Sequence, residues 1–148
     1  AAILLKEVAD IDKGDEVGSE NYNEFIQRNP NDRPFIRTSD IVNWEVDLYP
    51  DYYISENNLV GIDQNVRAND VVFTKDGKIG SVGLITEVDN VVLSSGISIL
   101  RVKDSAKKEG ITPEYLFTAL SIPEIGRYAA IRRTVVASTI PHLREERL

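Results

Sequence analysis

Few side chains in this sequence are equipped for acid–base, nucleophilic or metal chemistry. There is one histidine, His142, and no cysteine, so multi-histidine zinc motifs, thiolate metal sites, disulfides and thiol catalysis have no residues to build them. Serine and aspartate are plentiful, but no Gly-x-Ser-x-Gly elbow occurs. His142 follows Pro141 in a turn context that suits a ring hydrogen-bonded to backbone better than a general base. The carboxylate pairs Asp10/Asp12 and Glu145/Glu146 lie in turn or terminal contexts, which favour solvation over the burial that tunes an acid or base. Gly77-Lys78-Ile79-Gly80-Ser81-Val82-Gly83 has glycine at every third position. It fits neither Gly-x-Gly-x-x-Gly nor the Walker pattern, and a strand follows it where a phosphate site would need a helix. Gly77 suits a hairpin turn, while Gly80 and Gly83 suit a bulge or a close backbone approach. Lys75 and Lys78 bracket that turn and project two cations from it, a placement compatible with plain solvation or with DNA contact.

The elements that must position these residues follow from apolar spacing. Leu4, Leu5, Val8 and Ile11 predict a short helix with an extended exit that ends at Asp12-Lys13-Gly14. Residues 15–34 are polar and read as a long surface loop with room for one helical turn, a kind of segment that is more often functional or mobile than merely connecting. Strands are expected at 35–37, 44–48, 52–54, 71–74, 79–88 and 91–102, where β-branched and aromatic residues dominate. With Asp76-Gly77 and Asp89-Asn90 as two-residue turns, 71–102 should form an antiparallel meander. Thr112 is an N-cap candidate before Pro113, with Leu116, Ala119 and Leu120 on one face, and a second helix is expected from Pro123 with Ile125, Tyr128 and Ala129 together. A last extended piece spans 134–139. The fold class is therefore α+β (mixed α/β), a twisted, mainly antiparallel sheet or partial barrel with two C-terminal helices.

The chain has 148 residues, of which 42% are hydrophobic, 28% charged and 7% aromatic, with a net charge of -7. That size and apolar content suit one domain with its own core, 1–148. The absence of methionine and the abrupt ends lead to the expectation of a fragment from a longer chain. The longest apolar run, Ala1–Leu5, is far below the roughly 18 residues of a membrane span, so no membrane association and a soluble, cytoplasmic setting are expected. An acidic balance speaks at first against DNA, whose non-specific affinity comes from Lys and Arg. The charge is unevenly distributed, however: residues 1–60 hold 13 Asp and Glu against 5 Lys and Arg, whereas 61–148 hold 11 against 12. One positive face is compatible with that division.

Five segments, in order, carry a resemblance. They are Phe35-Ile36-Arg37-Thr38-Ser39-Asp40-Ile41, Asp70-Val71-Val72-Phe73-Thr74-Lys75-Asp76-Gly77-Lys78-Ile79-Gly80, Leu93-Ser94-Ser95-Gly96-Ile97 through Arg101-Val102, Pro113-Glu114-Tyr115-Leu116-Phe117, and Ser138-Thr139-Ile140-Pro141-His142-Leu143. With the opening Leu5-Lys6-Glu7-Val8-Ala9-Asp10-Ile11, nearly the whole chain resembles target recognition domains of restriction-modification systems. Such domains occur in the specificity subunit of type I enzymes and at the C-terminus of fused adenine-specific DNA methyltransferases. The Thr-Ile-Pro-His-Leu ending is similar to the former, and the Lys-Asp-Gly hairpin and the Phe-Ile-Arg-Thr-Ser-Asp-Ile segment to the latter, so both parents stay open at this point. The resemblance implies sequence-specific binding of double-stranded DNA, no catalytic site and no cofactor of its own, and partner methyltransferase and restriction subunits or domains that methylate and cleave.

At the matched positions the residue types suit that task. Arg37, Lys75, Lys78 and Arg101 can neutralise phosphates or, for arginine, grip guanine. Thr38, Ser39, Ser94, Ser95 and Ser98 can meet a phosphate or a base edge, though Thr38-Ser39-Asp40 suits a hydroxyl-mediated turn or helix cap equally well. Asn21, Asn23 and Arg28 in the long loop are further reading candidates. Arg132, Arg133 and Thr134 follow the second expected helix, where cations complement a helix dipole with or without DNA. A competing class is a protein-interaction module built on the acidic 1–60 region with Trp44, Tyr49, Tyr52 and Tyr53.

Overall fold

The computed structural model describes residues 5–17, 32–42, 44–55, 62, 64–86 and 91–127. Along these the chain forms α1 (Leu5–Val8), β1 (Ala9–Lys13), β2 (Arg33–Ile36), β3 (Ile41–Val42), β4 (Glu45–Val46), β5 (Tyr53–Ile54), β6 (Val71–Thr74), β7 (Val82–Leu84), β8 (Val92–Leu93), β9 (Ile97–Val102), α2 (Asp104–Lys108) and α3 (Pro113–Ser121). The result is a mixed α+β fold with mainly antiparallel sheets and few helices, as the apolar patterning leads one to expect.

Strand β9 organises the molecule. It is an inner strand of a four-stranded antiparallel sheet of order β1-β9-β6-β7, with Leu100 opposite both Ile11 and Val71. Successive strand side chains point to opposite faces, and both faces here are covered. Val71, Phe73, Leu100 and Val102 pack with Val82, Leu116 of α3 and Leu120 on one side. Val72, Ile97 and Ile99 pack with Ile36, Ile41 and Leu93 on the other. This explains why β9 reads as a nearly continuous apolar run without polar alternation. Each of these large side chains contributes on the order of 1.5–3 kcal/mol by leaving water, so the sheet is a firm base for whatever its ends carry.

A second, three-stranded sheet has the order β5-β2-β8, with β2 and β5 antiparallel but β2 and β8 parallel, Phe35 opposite Val92. β3 and β4 form a small hairpin that lies over β7. There, a side-chain carbon on Gly83 would come within 2.9 Å of the Val46 methyl, so glycine permits this close approach.

The expected meander over 71–102 does not form. Among the described residues of this stretch only β6 and β7 pair as sequence neighbours, and the run from Val91 to Val102 is broken at Ser94-Ser95-Gly96, so that β8 joins β2 while β9 returns to β6. Nor is the 74–82 connection a two-residue turn. Ile79 and Gly80 belong to a longer loop, where Gly77 and Gly80 have φ of +64° and +93°, a region that glycine enters without strain. Asp89-Asn90 lies outside the described residues. Thr112 caps α3 as expected, its hydroxyl accepting from the Tyr115 N–H at 3.1 Å, with Pro113 in the first turn. α2 has no counterpart in the apolar pattern. Residues 123–126 form a turn where the second helix is expected to start, Arg127 is helical, and 128 onward lies outside the described residues.

Candidate nucleic-acid interface

Three loops converge at one end of the sheets. The first, Arg37 to Asp40, leaves β2 and forms a single 3-10 turn at Thr38–Asp40. The second, 75–81, joins β6 to β7. The third, Ser94-Ser95-Gly96, separates β8 from β9. Backbone hydrogen bonds join them, Ser94 N–H to the Ile36 carbonyl at 2.9 Å and Lys75 N–H to the Gly96 carbonyl at 2.9 Å. A side-chain carbon on buried Gly96 would lie 2.8 Å from the Thr38 methyl and 3.4 Å from Asp76 Cβ, so all three loops meet at that residue. Gly14 and Asp15 close the cluster from β1, donating to the carbonyls of Ile97 and Leu93 at 3.1 and 3.0 Å. Gln64 adds a side-chain tie, donating to Asp15 at 2.6 Å and to the Leu93 carbonyl at 2.9 Å while accepting from Leu93 N–H at 2.7 Å.

The 75–81 loop is held at its neck by Thr74. Its hydroxyl donates to the Lys78 carbonyl and accepts from Ser81 N–H at 2.9 Å. Thr74 is fully buried, so these bonds form away from competing water. Lys78 is exposed at the tip and Lys75 is half-buried beside it.

The two arginines are committed within the protein. Arg101 places Nε and one Nη on the two Asp70 oxygens at 2.9 and 2.8 Å, and the same Nη on the Asn65 carbonyl at 2.7 Å. Asp70 is 1% exposed and also accepts from Arg67 N–H at 2.8 Å. This two-point pairing fastens the 64–70 segment to β9. Its hydrogen bond to Asp70 does most to raise the Arg101 pKa above the ordinary arginine value, against partial burial and with help from the charges of Asp70, Asp10 and Asp12. Arg37 faces Asp40 through Nε at 3.2 Å and one Nη at 3.3 Å, stands 3.5 Å from Asp51, and lies over the Tyr52 ring at 4.4 Å. Partial burial works against its charge, but the hydrogen bond and charge of Asp40, with Tyr52 and Asp51, prevail and raise its pKa.

Of the nine candidate contact residues, the structure thus gathers Arg37, Thr38, Ser39, Lys75, Lys78, Ser94 and Ser95 on the three converging loops. Arg101 stands apart, paired with Asp70. Ser98, expected to face DNA, is instead fully buried in β9 opposite Phe73, and its hydroxyl has no hydrogen-bond partner among the described residues. Its parity with Leu100 and Val102 turns it inward, and this period-2 relation was available in the sequence. Sequence reasoning missed Asp40, Tyr52, Gln64, Asp70 and Thr74 as the residues that shape the site. Asp40 had a local signal three residues from Arg37, whereas Gln64 and Asp70 act on partners 29 and 31 residues away. Asn21, Asn23, Arg28, Arg132, Arg133, Thr134 and His142 lie outside the described residues. Among the described residues no group of three or more His, Cys, Asp or Glu is placed to hold a metal ion, and no helix is long and apolar enough to cross a membrane.

The four-stranded sheet is covered on both faces, and the polar loops 37–40, 75–81 and 94–96 are drawn together at one end of it. Residues 3–148 match the type I restriction modification DNA specificity domain, and the chain belongs to that family. Solved structures share the fold. The S subunit of a type I restriction-modification system from M. genitalium matches with a TM-score of 0.59 at 14% identity, covering 99% of this chain and 32% of that one. The HsdS subunit from Thermoanaerobacter tengcongensis matches at 0.58 and 19% identity, covering 97% of this chain and 33% of that one. A chain from a study of complex assembly and conformational transition of the type I R-M system matches at 0.52 and 22% identity, over 83% of this chain and 29% of that one. The chain thus spans about a third of the length of these relatives. Comparison with curated protein sequences finds no match.

Proposed function

We propose that this domain reads a short sequence of double-stranded DNA as one target recognition domain of a type I specificity subunit, residues 1–148 being a single such domain. Partner methyltransferase and restriction subunits carry out methylation and cleavage, and the assembly works in the cytoplasm. The observation that carries this reading is the meeting of three polar loops at Gly96, with two lysines, Lys75 and Lys78, on one of them. Lysines at a loop tip supply phosphate attraction, and short hydroxyl side chains beside them have the reach to meet base edges. The family membership and the likeness to specificity subunits support the type I parent over the fused methyltransferase.

The test is selection from random duplexes by the parent assembly. A reproducible short consensus that changes when the three loops are exchanged for those of a relative is the expected result. A consensus that stays the same through every loop exchange would refute it. Lys75→Ala with Lys78→Ala should weaken binding to all duplexes alike, as the removal of phosphate-neutralising cations does.

One observation favours a second, protein-docking role for another face. Trp44 is 61% and Tyr49 86% exposed, and Trp44 borders an open groove of 450 Å³ lined also by Glu45, Val46, Leu48, Leu84 and Phe117. A large exposed aromatic beside an apolar groove is a feature of interaction sites. A partner protein retained after nuclease treatment and released by Trp44→Ala would support that role.

A further inference from the structure

One edge of the Arg37 guanidinium is engaged in a local cluster. Nε and one Nη both face Asp40, and the same Nη stands 3.5 Å from Asp51. That edge of the guanidinium is one that would otherwise grip guanine or a phosphate through two parallel donors. Asp40 is 7% exposed and additionally accepts the Arg37 backbone N–H at 2.8 Å, while its own N–H donates to the Arg37 carbonyl at 2.9 Å. The segment from Arg37 to Asp40 is therefore closed on itself at both ends. The Asp40 carbonyl ties it to the β3–β4 hairpin by accepting from Asp47 N–H at 2.8 Å, and the Tyr52 ring supports the guanidinium from the β5 side.

Two residues lie inside this clamp. Thr38 turns its methyl group in against Gly96. Ser39 is the one residue of the four that is exposed. We propose that Arg37 is a positioning residue for sequence reading, touching neither phosphate nor base, and that with Asp40 and Tyr52 it holds Ser39 at the surface as the specificity-determining side chain of this turn. The inference rests on the DNA-reading function proposed above. It reverses the role that residue type alone assigns to Arg37, and it leaves phosphate attraction in this cluster to the lysines of the 75–81 loop.

The experiment uses the full-length parent polypeptide assembled with its methyltransferase subunit and reads two quantities, the slope of log K against log salt and the base preference from selection on random duplexes. Lys75→Ala with Lys78→Ala should flatten the slope by about 0.9 for each phosphate that is no longer neutralised. Arg37→Ala should leave the slope at the wild-type value yet relax preference at the same base pairs as Ser39→Ala. Arg37→Lys keeps the charge but not the two-donor fork, and should relax preference as Arg37→Ala does. Asp40→Asn removes the charge that holds the guanidinium and should also relax preference, whereas an Arg37 that touched DNA directly would keep its preference and bind more tightly. If Arg37→Ala fails to fold, Arg37→Lys and Asp40→Asn decide the matter. A slope flattened by about 0.9 in Arg37→Ala with wild-type preference retained in Arg37→Lys, or an unchanged preference in Ser39→Ala, would overturn the inference while leaving DNA reading intact. A wild-type assembly without any base preference would overturn the DNA-reading function itself.

Discussion

Gly96→Ala places one methyl group at the point where the three loops meet. Gly96 is not among the positive-φ residues, so the effect is steric and not a matter of backbone strain. The new carbon would sit 2.8 Å from the Thr38 methyl and 3.4 Å from Asp76 Cβ. The second is an ordinary approach, and the first requires movement. Gly96 is buried and its carbonyl is held by Lys75 N–H, so Thr38 must give way, and with it the turn that carries Ser39. Overpacking of this size costs about 1–3 kcal/mol. In a domain of this length each kcal/mol lowers the melting temperature by roughly 2–4 °C. Because the clash is with one methyl group, Thr38→Ser removes it and keeps the hydroxyl. Thermal or chemical denaturation of Gly96→Ala, Thr38→Ser and the double variant then forms a cycle, with an expected coupling of at least about 1 kcal/mol in favour of the double variant. DNA selectivity should fall in Gly96→Ala and recover in the double variant. Additive stabilities, or selectivity that falls equally with and without the Thr38 methyl, would refute the idea that this approach sets the loops.

Ser98→Ala should retain full DNA binding and gain up to about 1 kcal/mol in denaturation, because it removes a buried hydroxyl without a described partner; a drop in DNA affinity would contradict the inward placement. Thr74→Val keeps the shape but removes the hydroxyl that ties Lys78 to Ser81, and should cost about 1–3 kcal/mol with faster hydrogen exchange confined to 75–81. Asp70→Ala breaks a pair whose carboxylate is 1% exposed and should cost about 3 kcal/mol, the low end for buried pairs because Arg101 retains some solvent. Mass-spectrometric hydrogen exchange should then rise across 64–70, and unchanged protection there would argue against the tie.

Much of the scaffold was legible from local patterning. The Thr112-Pro113 start of α3, the apolar run of β6 and the helix-to-strand opening at Leu5–Lys13 all rest on neighbours within a few residues, and the structure contains each. Strand partnership was less legible. Residues 91–102 read as one strand because Val91 to Leu93 and Ile97 to Val102 are both apolar, yet Ser94-Ser95-Gly96 sends them to different sheets. The two halves look alike in sequence because both are buried, and burial does not say against what. The same limit explains the arginines: a guanidinium advertises affinity for any anion, and Asp70 satisfies Arg101 from 31 residues away.

Which of the candidate DNA-facing residues remain accessible follows from the same packing. The four-stranded sheet is covered on one face by α3 and its neighbours and on the other by Ile36, Ile41 and Leu93, so a polar residue within β9 has two fates. It is either sealed in the core, as Ser98 is, or consumed in fastening another segment to the sheet, as Arg101 is. Thr38, Ser39, Lys75, Lys78, Ser94 and Ser95 lie beyond the strand ends, outside the two covered faces. A module built this way allows the exposed loop residues to change without disturbing the core, provided the interactions that fix loop geometry remain. The constraint on sequence change therefore falls hardest on Gly96, Asp40 and Thr74, which hold the loops in place, and least on Ser39 and Lys78, which project from them.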